Sequence, residues 1–390
     1  MFKNVTVVTA SVSPKAGGMF FSSRLPANIM AARGHSPSVV ALEDDQRAEA
    51  VAAWSVDNLC LVPPQGPRGF LAVGRLLDAV RATRPDVVHL RGIWSPAAWA
   101  AYRWQKTSGG PLVISPHGML DKKALRYSQL RKLVALALGE RAGLRRANVI
   151  HALNESEARS IRAFGLDNPI ATIANGVEIH AEVARRHDPD NKKRLLFLGR
   201  IHPKKGLAEL IDAWAVFKRN SSQAAPWLLD IAGWDDGGHL AELERLAGAA
   251  GLGESIAFLG PLFGAAKRER MAKSDAFILP TFSEGMPIAV LEAWEAGLPV
   301  VTTDFANLPV GFRRRAALRT EPTPPAIAAS LGELAAASDE QLREWGANGR
   351  RLVIDEFDWK RSVDRFEKLY CWLVRQAGRP DFVDPGPCGA

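Results

Sequence analysis

Short apolar runs recur along the chain, separated by longer segments in which apolar positions return every third or fourth residue. The short runs show no polar alternation, which predicts strands buried on both faces. In the first half they fall at Val5–Thr9, Ser38–Leu42, Val87–Leu90, Leu112–Ser115 and Val149–Ala152. In the second half they fall at Leu195–Leu198, Trp227–Ala232, Ile256–Leu259, Ala276–Pro280 and Val300–Thr303. The intervening segments read as helices. In the clearest, Leu207, Leu210, Ile211, Trp214 and Phe217 share one face. Strands alternating with helical crossovers predict α/β architecture with doubly wound parallel sheets.

The pattern restarts at Leu195, after a polar stretch containing Pro189. The chain is therefore divided into an N-terminal Rossmann-like domain over 1–180, a linker over 181–194 and a C-terminal Rossmann-like domain over 195–358. A further helix, about 359–375, is expected to cross back onto the first domain. The Pro- and Gly-rich tail, 376–390, is expected to be loose. Ligands of such sheets lie beyond the carboxyl ends of the strands, so the expected site is a cleft between two facing domains.

With 390 residues the chain is long enough for two domains, and 47% hydrophobic with 24% charged residues excludes a disordered or fibrous protein. Three scattered cysteines give neither a disulfide framework nor a zinc site, which favours a reducing, cytoplasmic setting. The N-terminus reads as a first strand rather than a signal peptide, and no apolar run approaches the ~20 residues of a membrane span. The net charge of +8 points to anionic partners. The basic residues have no interleaved aromatics, which argues against nucleic acid.

Three strand-to-helix turns carry candidate chemistry. Gly199-Arg200-Ile201-His202-Pro203-Lys204-Lys205-Gly206 gathers cations where a strand ends and a helix begins. A diphosphate clamp and a solvated basic turn are equally good readings of it alone. Thr281-Phe282-Ser283-Glu284-Gly285-Met286-Pro287 leads into a second helix, with Pro287 suited to its first position and Glu292 farther along it. Carboxylates at 284 and 292 suit sugar or ribose hydroxyls; a surface helix position is the alternative for Glu292. The third turn, Ser13-Pro14-Lys15-Ala16-Gly17-Gly18, has a glycine pair but neither a dinucleotide fingerprint nor a triphosphate loop.

Taken in order, Gly17-Gly18, Pro85–His89, Ser115-Pro-His117-Gly118, Asn175-Gly176-Val177, Gly199-Arg200 with Lys205-Gly206, Phe258-Leu-Gly260, and Glu284 with Glu292 resemble the retaining glycosyltransferases of family 4. The resemblance spans roughly 5–373 and implies the GT-B fold. Ser115–Leu120 resembles the branch that assembles bacterial polysaccharides. It implies that Arg200 and Lys205 neutralise a nucleoside diphosphate (UDP or GDP). Glu284 would bind the donor sugar and Glu292 the ribose. Backbone at Gly285, Met286 and Ile288 would hold sugar and diphosphate, and the base would lie near Phe258–Leu262. His117 would reach the donor sugar, and Gly17-Gly18 would line the diphosphate and acceptor. No metal or other cofactor is expected, since fixed cations take that role; Asp188-Pro-Asp190 is read as chance. The sequence departs from the family at Met286-Pro287 and at His89-Leu-Arg91, where some relatives carry two histidines; Arg91 is expected to tune acceptor or donor sugar.

The expected acceptor is a glycan or a lipid-linked sugar. The alternatives are a sugar-nucleotide epimerase or phosphorylase on the same fold, or a non-catalytic nucleotide-sugar-binding partner. The segment 122–146 holds eight Lys/Arg and one Glu, with Leu130, Leu133, Val134, Ala137 and Leu138 on one face. It reads either as a patch docking on the anionic inner face of the cytoplasmic membrane or, more commonly for such patterns, as a helix with its apolar face in the core. Trp94 and Trp99 are candidates to line an acceptor, while His35, His151 and His239 read as structural.

Overall fold

The computed structural model describes residues 2–45, 51–126, 129–181, 192–220, 226–235 and 237–387. Of the linker expected over 181–194, residues 182–191, with Asp188-Pro-Asp190, lie outside these, while Lys193 and Arg194 already belong to the strand Lys193–Leu198 and the expected linker is too long at that end. The chain forms two compact units, Met1–Gly176 with Trp359–Ala390, and Val177–Asp358.

In the first unit β1 (Val5–Thr9), β2 (Ser38–Leu42), β3 (Asn58–Val62), β4 (Val87–Arg91), β5 (Leu112–Ser115), β6 (Val149–Ala152) and β7 (Ile170–Thr172) pair in parallel. The helices between them include α1 (Gly18–Ala32), α2 (Val73–Ala82) and α3 (Pro96–Ser108), then α4 (Lys122–Arg126), α5 (Gln129–Ala135) and α6 (Arg141–Arg146), and finally α7 (Glu155–Ala163). In the second unit β8 (Lys193–Leu198), β9 (Trp227–Ala232), β10 (Ile256–Gly260), β11 (Ala276–Leu279), β12 (Val300–Thr303) and β13 (Ala317–Thr320) form an all-parallel sheet in the order β10-β9-β8-β11-β12-β13. Its helices are α8 (Leu207–Asn220), α9 (His239–Ala249), α10 (Gly264–Ala272), α11 (Ile288–Glu295), α12 (Pro309–Arg313), α13 (Pro324–Ala336) and α14 (Asp339–Glu356). The chain closes with α15 (Trp359–Leu373) and β14 (Val383–Asp384).

Valine-rich central strands are buried throughout, as two-sided covering requires. One face of the first sheet, with Val5, Val87, Val113 and Val149, is covered in part by Val363, Phe366, Leu369 and Tyr370 of α15. Gly176 makes this return possible: a Cβ there would lie 2.6 Å from the Trp359 backbone nitrogen.

Several expectations change. The tail is not loose over its described part: β14 pairs antiparallel with β7, Val383 is buried, and Arg162 holds Asp384 at 2.8 Å. Three further strands add to the expected set: the three-residue β7 and the edge strands β3 and β13, whose side chains are partly exposed, although β3 includes the apolar run 59–62. Pro287 is not the first helical residue but the cap of α11, which starts at Ile288. On α5 and the turn after it the apolar side chains do not enter a core: Leu130, Leu133, Val134 and Leu138 are exposed. Trp94 and Trp99 are partly buried and pack against the core of the first unit.

Phe366→Ala removes a ring that touches His89, His151 and Tyr370. It is expected to cost the first unit about 3–5 kcal/mol, read as an earlier urea midpoint by circular dichroism. An unchanged midpoint would mean that α15 does not complete this core.

Candidate functional site

In the second unit the turn after β8 and the turn after β11 meet. His202 caps the short turn Pro203–Lys205, its Nδ1 accepting from the Lys204 amide at 3.1 Å. The Lys204 carbonyl accepts from the Phe282 amide at 2.8 Å and from the Thr281 hydroxyl at 3.0 Å. Gly206 is the only residue type that fits between them: its φ is +71°, and a Cβ would lie 2.1 Å from the Pro280 carbonyl oxygen. These links bring Lys205 Nζ within 2.5 Å of Glu284 Oε1, with both side chains nearly buried. Asn307 donates to the Glu284 carbonyl at 2.6 Å and fixes the loop from the far side.

Burial alone would raise the Glu284 pKa. Lys205, Lys204 and Arg200 overcome that and hold the carboxyl below its usual range. Arg200 is half-buried in the same turn. Thr281 Oγ1 also lies 3.3 Å from Glu284 Oε1, though no helix starts there for it to cap. Gly285 is half-buried, while Met286 and Ile288 are buried. Ile288 opens α11, where the first amides have no preceding turn to accept from them.

Glu292, one turn farther along α11, pairs with the buried Lys267 of α10 at 2.5 Å. The alternative of an idle surface position is thereby replaced by a paired carboxylate. Leu262 is half-buried just after β10, beside the stacked rings of Trp234 and Phe263, whose centroids are 6.1 Å apart.

The carboxyl edge of β1, β4, β5 and β6 in the first unit holds the remaining candidates. Gly17 (φ +60°) caps α1, and Gly18 is exposed with open space above its Cα. His117 adopts φ +53°, rare for a residue with a side chain. The buried Glu157 holds that loop: it accepts from the Gly118 amide at 2.6 Å and the Leu153 amide at 2.8 Å. His117 Nε2 is shielded from solvent and has no partner. Burial, then Arg91 and His151, keep the ring neutral.

Behind it runs a buried hydrogen-bond chain. His151 Nε2 meets the Ile173 carbonyl at 2.7 Å, so that nitrogen carries a proton. Its Nδ1 then accepts from the Ser115 hydroxyl at 2.7 Å. The Ser115 oxygen in turn accepts from His89 Nε2 at 2.7 Å, and His89 Nδ1 accepts from the Tyr370 hydroxyl at 2.6 Å. Each neutral tautomer follows from its neighbour.

Two descriptions of known families match this chain: "Glycosyltransferase Family 4" over 18–181 and "Glycosyl transferases group 1" over 180–352. The chain belongs to the group 1, family 4 glycosyltransferases.

This glycosyltransferase is 25% identical over 396 residues to the D-inositol 3-phosphate glycosyltransferase of Jonesia denitrificans, covering 94% of this chain and 90% of that one. It is also 25% identical over 298 residues, 76% of each chain, to the GDP-mannose:cellobiosyl-diphosphopolyprenol alpha-mannosyltransferase of Xanthomonas oryzae pv. oryzae. Its fold is that of the sucrose-phosphate synthase of Thermosynechococcus elongatus (TM-score 0.78, 19% identity, 96% and 100% of the two chains). It is likewise that of an Anabaena protein solved with UDP and glucose (TM-score 0.76, 18% identity, 95% and 99%). The GT-B architecture expected of the resemblance is the one observed.

Within the second unit the structure joins Lys205 to Glu284 and sets Arg200 in the same turn. His117 and Gly17-Gly18 belong to the first unit. Sequence reasoning missed Lys267, Asn307 and Glu157. Each acts through a partner distant in the chain and has no local signal of its own.

His89 and His151 are fully buried and neutral, His151 pushed down to about 3 chiefly by burial, then by Arg91. A histidine whose folded pKa is depressed stabilises fully above its unfolded value of about 6.5 and loses that contribution as pH falls toward the folded value. The first unit should therefore lose about 1.4 kcal/mol per pH unit per histidine below about pH 6. Denaturant titrations at stepped pH would read this slope, and His151→Gln should reduce it by one proton. A wild-type slope indistinguishable from that of the variant would contradict the neutral chain.

Proposed function

We propose that this glycosyltransferase moves a hexose, with retention of anomeric configuration, from a nucleoside-diphosphate sugar to a glycan or lipid-linked acceptor in bacterial polysaccharide assembly. The observation that carries the reading is the nearly buried Lys205–Glu284 pair beside Arg200 and Lys204. Breaking a sugar–phosphate bond leaves charge on the diphosphate, and preset cations stabilise it most effectively where water is excluded. In the free protein Glu284 supplies the anion at Lys205. When the donor binds, its diphosphate takes that place, with Arg200 completing the clamp and the amides at Gly285, Met286 and Ile288 holding diphosphate and sugar. Glu284 is then released to accept from sugar hydroxyls. Gly17-Gly18 line the diphosphate and acceptor, and neutral His117 accepts from or donates to a donor-sugar hydroxyl.

Glu292, held by Lys267, accepts from the ribose hydroxyls, and the base lies by Leu262. Side-chain cations take the charge-neutralising role of a metal ion in this reading. The Anabaena structure with UDP and the GDP-mannose named for the Xanthomonas relative support a UDP- or GDP-linked donor. The family match favours transfer over epimerisation, phosphorolysis or mere binding.

Exposed Leu130, Leu133, Val134 and Leu138, with Arg131, Arg141, Arg145 and Arg146 exposed nearby, support docking on an anionic membrane close to a lipid-linked acceptor. Among the described residues no helix is long and apolar enough to cross a membrane.

Lys205→Ala and Glu284→Ala should each lower kcat at least a hundredfold with the fold retained by circular dichroism, whereas Glu292→Ala should chiefly raise the donor KM. These are measured with a panel of UDP- and GDP-sugars in EDTA. Turnover near wild type in the Lys205 or Glu284 variant would remove that residue from the mechanism, and activity appearing only with a divalent ion would reject the cation clamp. Vesicles containing phosphatidylglycerol should co-sediment the protein, and Leu130→Ser with Arg131→Glu should abolish this. Equal sedimentation of the variant would end the docking reading.

A further inference from the structure

Among the described residues the buried cations of the second unit each meet a carboxylate. Lys205 pairs with Glu284 and Lys267 with Glu292, and the half-buried Arg270 and Arg350 meet Asp230 and Glu295. Arg91, at the end of β4, does not. It is 2% exposed, its Nε has no partner, and no carboxylate among the described residues pairs with it. Its guanidinium carbon lies 5.0 Å from the centre of the Phe366 ring. A cation–π contact offsets only part of what desolvating a guanidinium costs, and the shielded Nε–H without an acceptor adds to that cost. Burial lowers its pKa only to about 10, so the charge persists at neutral pH.

Neither buried glutamate of this unit pairs with it. Glu157 holds the amides of Gly118 and Leu153, and Glu140 accepts from the Trp94 amide and the Tyr102 hydroxyl through Oε1, leaving its Oε2 unpartnered. The neighbouring ring is also incomplete: His117, close enough to feel the charge of Arg91, leaves its shielded Nε2 unpartnered. Arg91 shares its register with Thr9 of β1 and Ser115 of β5. Gly92, which follows it, lies beside Met19, the neighbour of Gly18. Two unsatisfied polar groups thus share the edge of the sheet that carries the glycine pair.

We propose that Arg91 is the receptor for an oxyanion, a carboxylate or phosphate, carried by the acceptor or by the transferred sugar and separate from the donor diphosphate. The inference rests on the transferase reading above. The anion supplies the countercharge that the protein lacks, and the planar guanidinium fork gives two parallel hydrogen bonds to it. A buried charge retained without a partner is expected to lower the stability of the free protein, as binding groups commonly do.

The full-length protein, saturated with UDP, is titrated by calorimetry with orthophosphate, glucose 1-phosphate and glucuronate, each against glucose. UDP-glucuronate is compared with UDP-glucose in separate titrations. The first arm reads an acceptor-borne anion and the second a sugar-borne one. In one of them the anionic compound should bind at least tenfold more tightly than its neutral counterpart. Arg91→Met should erase that preference, leave UDP affinity within twofold, and melt no lower than wild type. Arg91→Gln provides the same comparison if Arg91→Met is recovered poorly. The proposal is overturned if the preference survives in both variants, if wild type shows none while binding UDP normally, or if the variants lose UDP affinity tenfold, which would place Arg91 on the donor diphosphate. It is also overturned if both variants unfold, which would make the role structural. Wild type binding no nucleotide at all would instead defeat the transferase reading itself, and this inference with it.

Discussion

A parallel sheet must be covered on both faces, and in the first unit residues from the far end of the chain help to do this. Helix α15 lays Val363, Phe366, Leu369 and Tyr370 over the strands, in one core with Phe2 and Met30. Without it a row of valines would face water. The same helix delivers Tyr370 to the buried histidine chain and Phe366 to the Arg91 guanidinium. The covering that stabilises this sheet thus also sets the protonation of His89 and His151 and the surroundings of Arg91.

The two units treat buried charge differently. In the second, cation and carboxylate are brought together from distant parts of the chain, so each neutralises the other. Such a pair adds little net stability once desolvation is counted, but losing one partner strands the other. In the first unit the carboxylates serve backbone amides. Glu157 fixes the loop bearing His117, whose left-handed backbone would otherwise be strained without compensation.

The central strands were legible because they are buried on both faces and therefore read as unbroken apolar runs. The edges were not. β3 and β13 expose part of each strand, and two-residue β14 has too few positions to show any period. Lys205 and Glu284 stood out by their place after strands, although they lie 79 residues apart. Lys267 sits on an amphipathic helix, where a lysine ordinarily reads as solvated, and only the fold reveals Glu292 opposite it. The outward apolar face of α5 was misweighted for a related reason: periodicity says that a helix has two faces, not which of them the protein covers.

The return of α15 and β14 has a consequence for the order in which the molecule is made. The strands β1 to β7 leave the ribosome first, but part of their cover is translated only after the whole of the second unit. The unit that begins the chain is thus the last that can be completed. Until then its valine-lined face waits exposed, and during synthesis it is the part of the protein most in need of a chaperone.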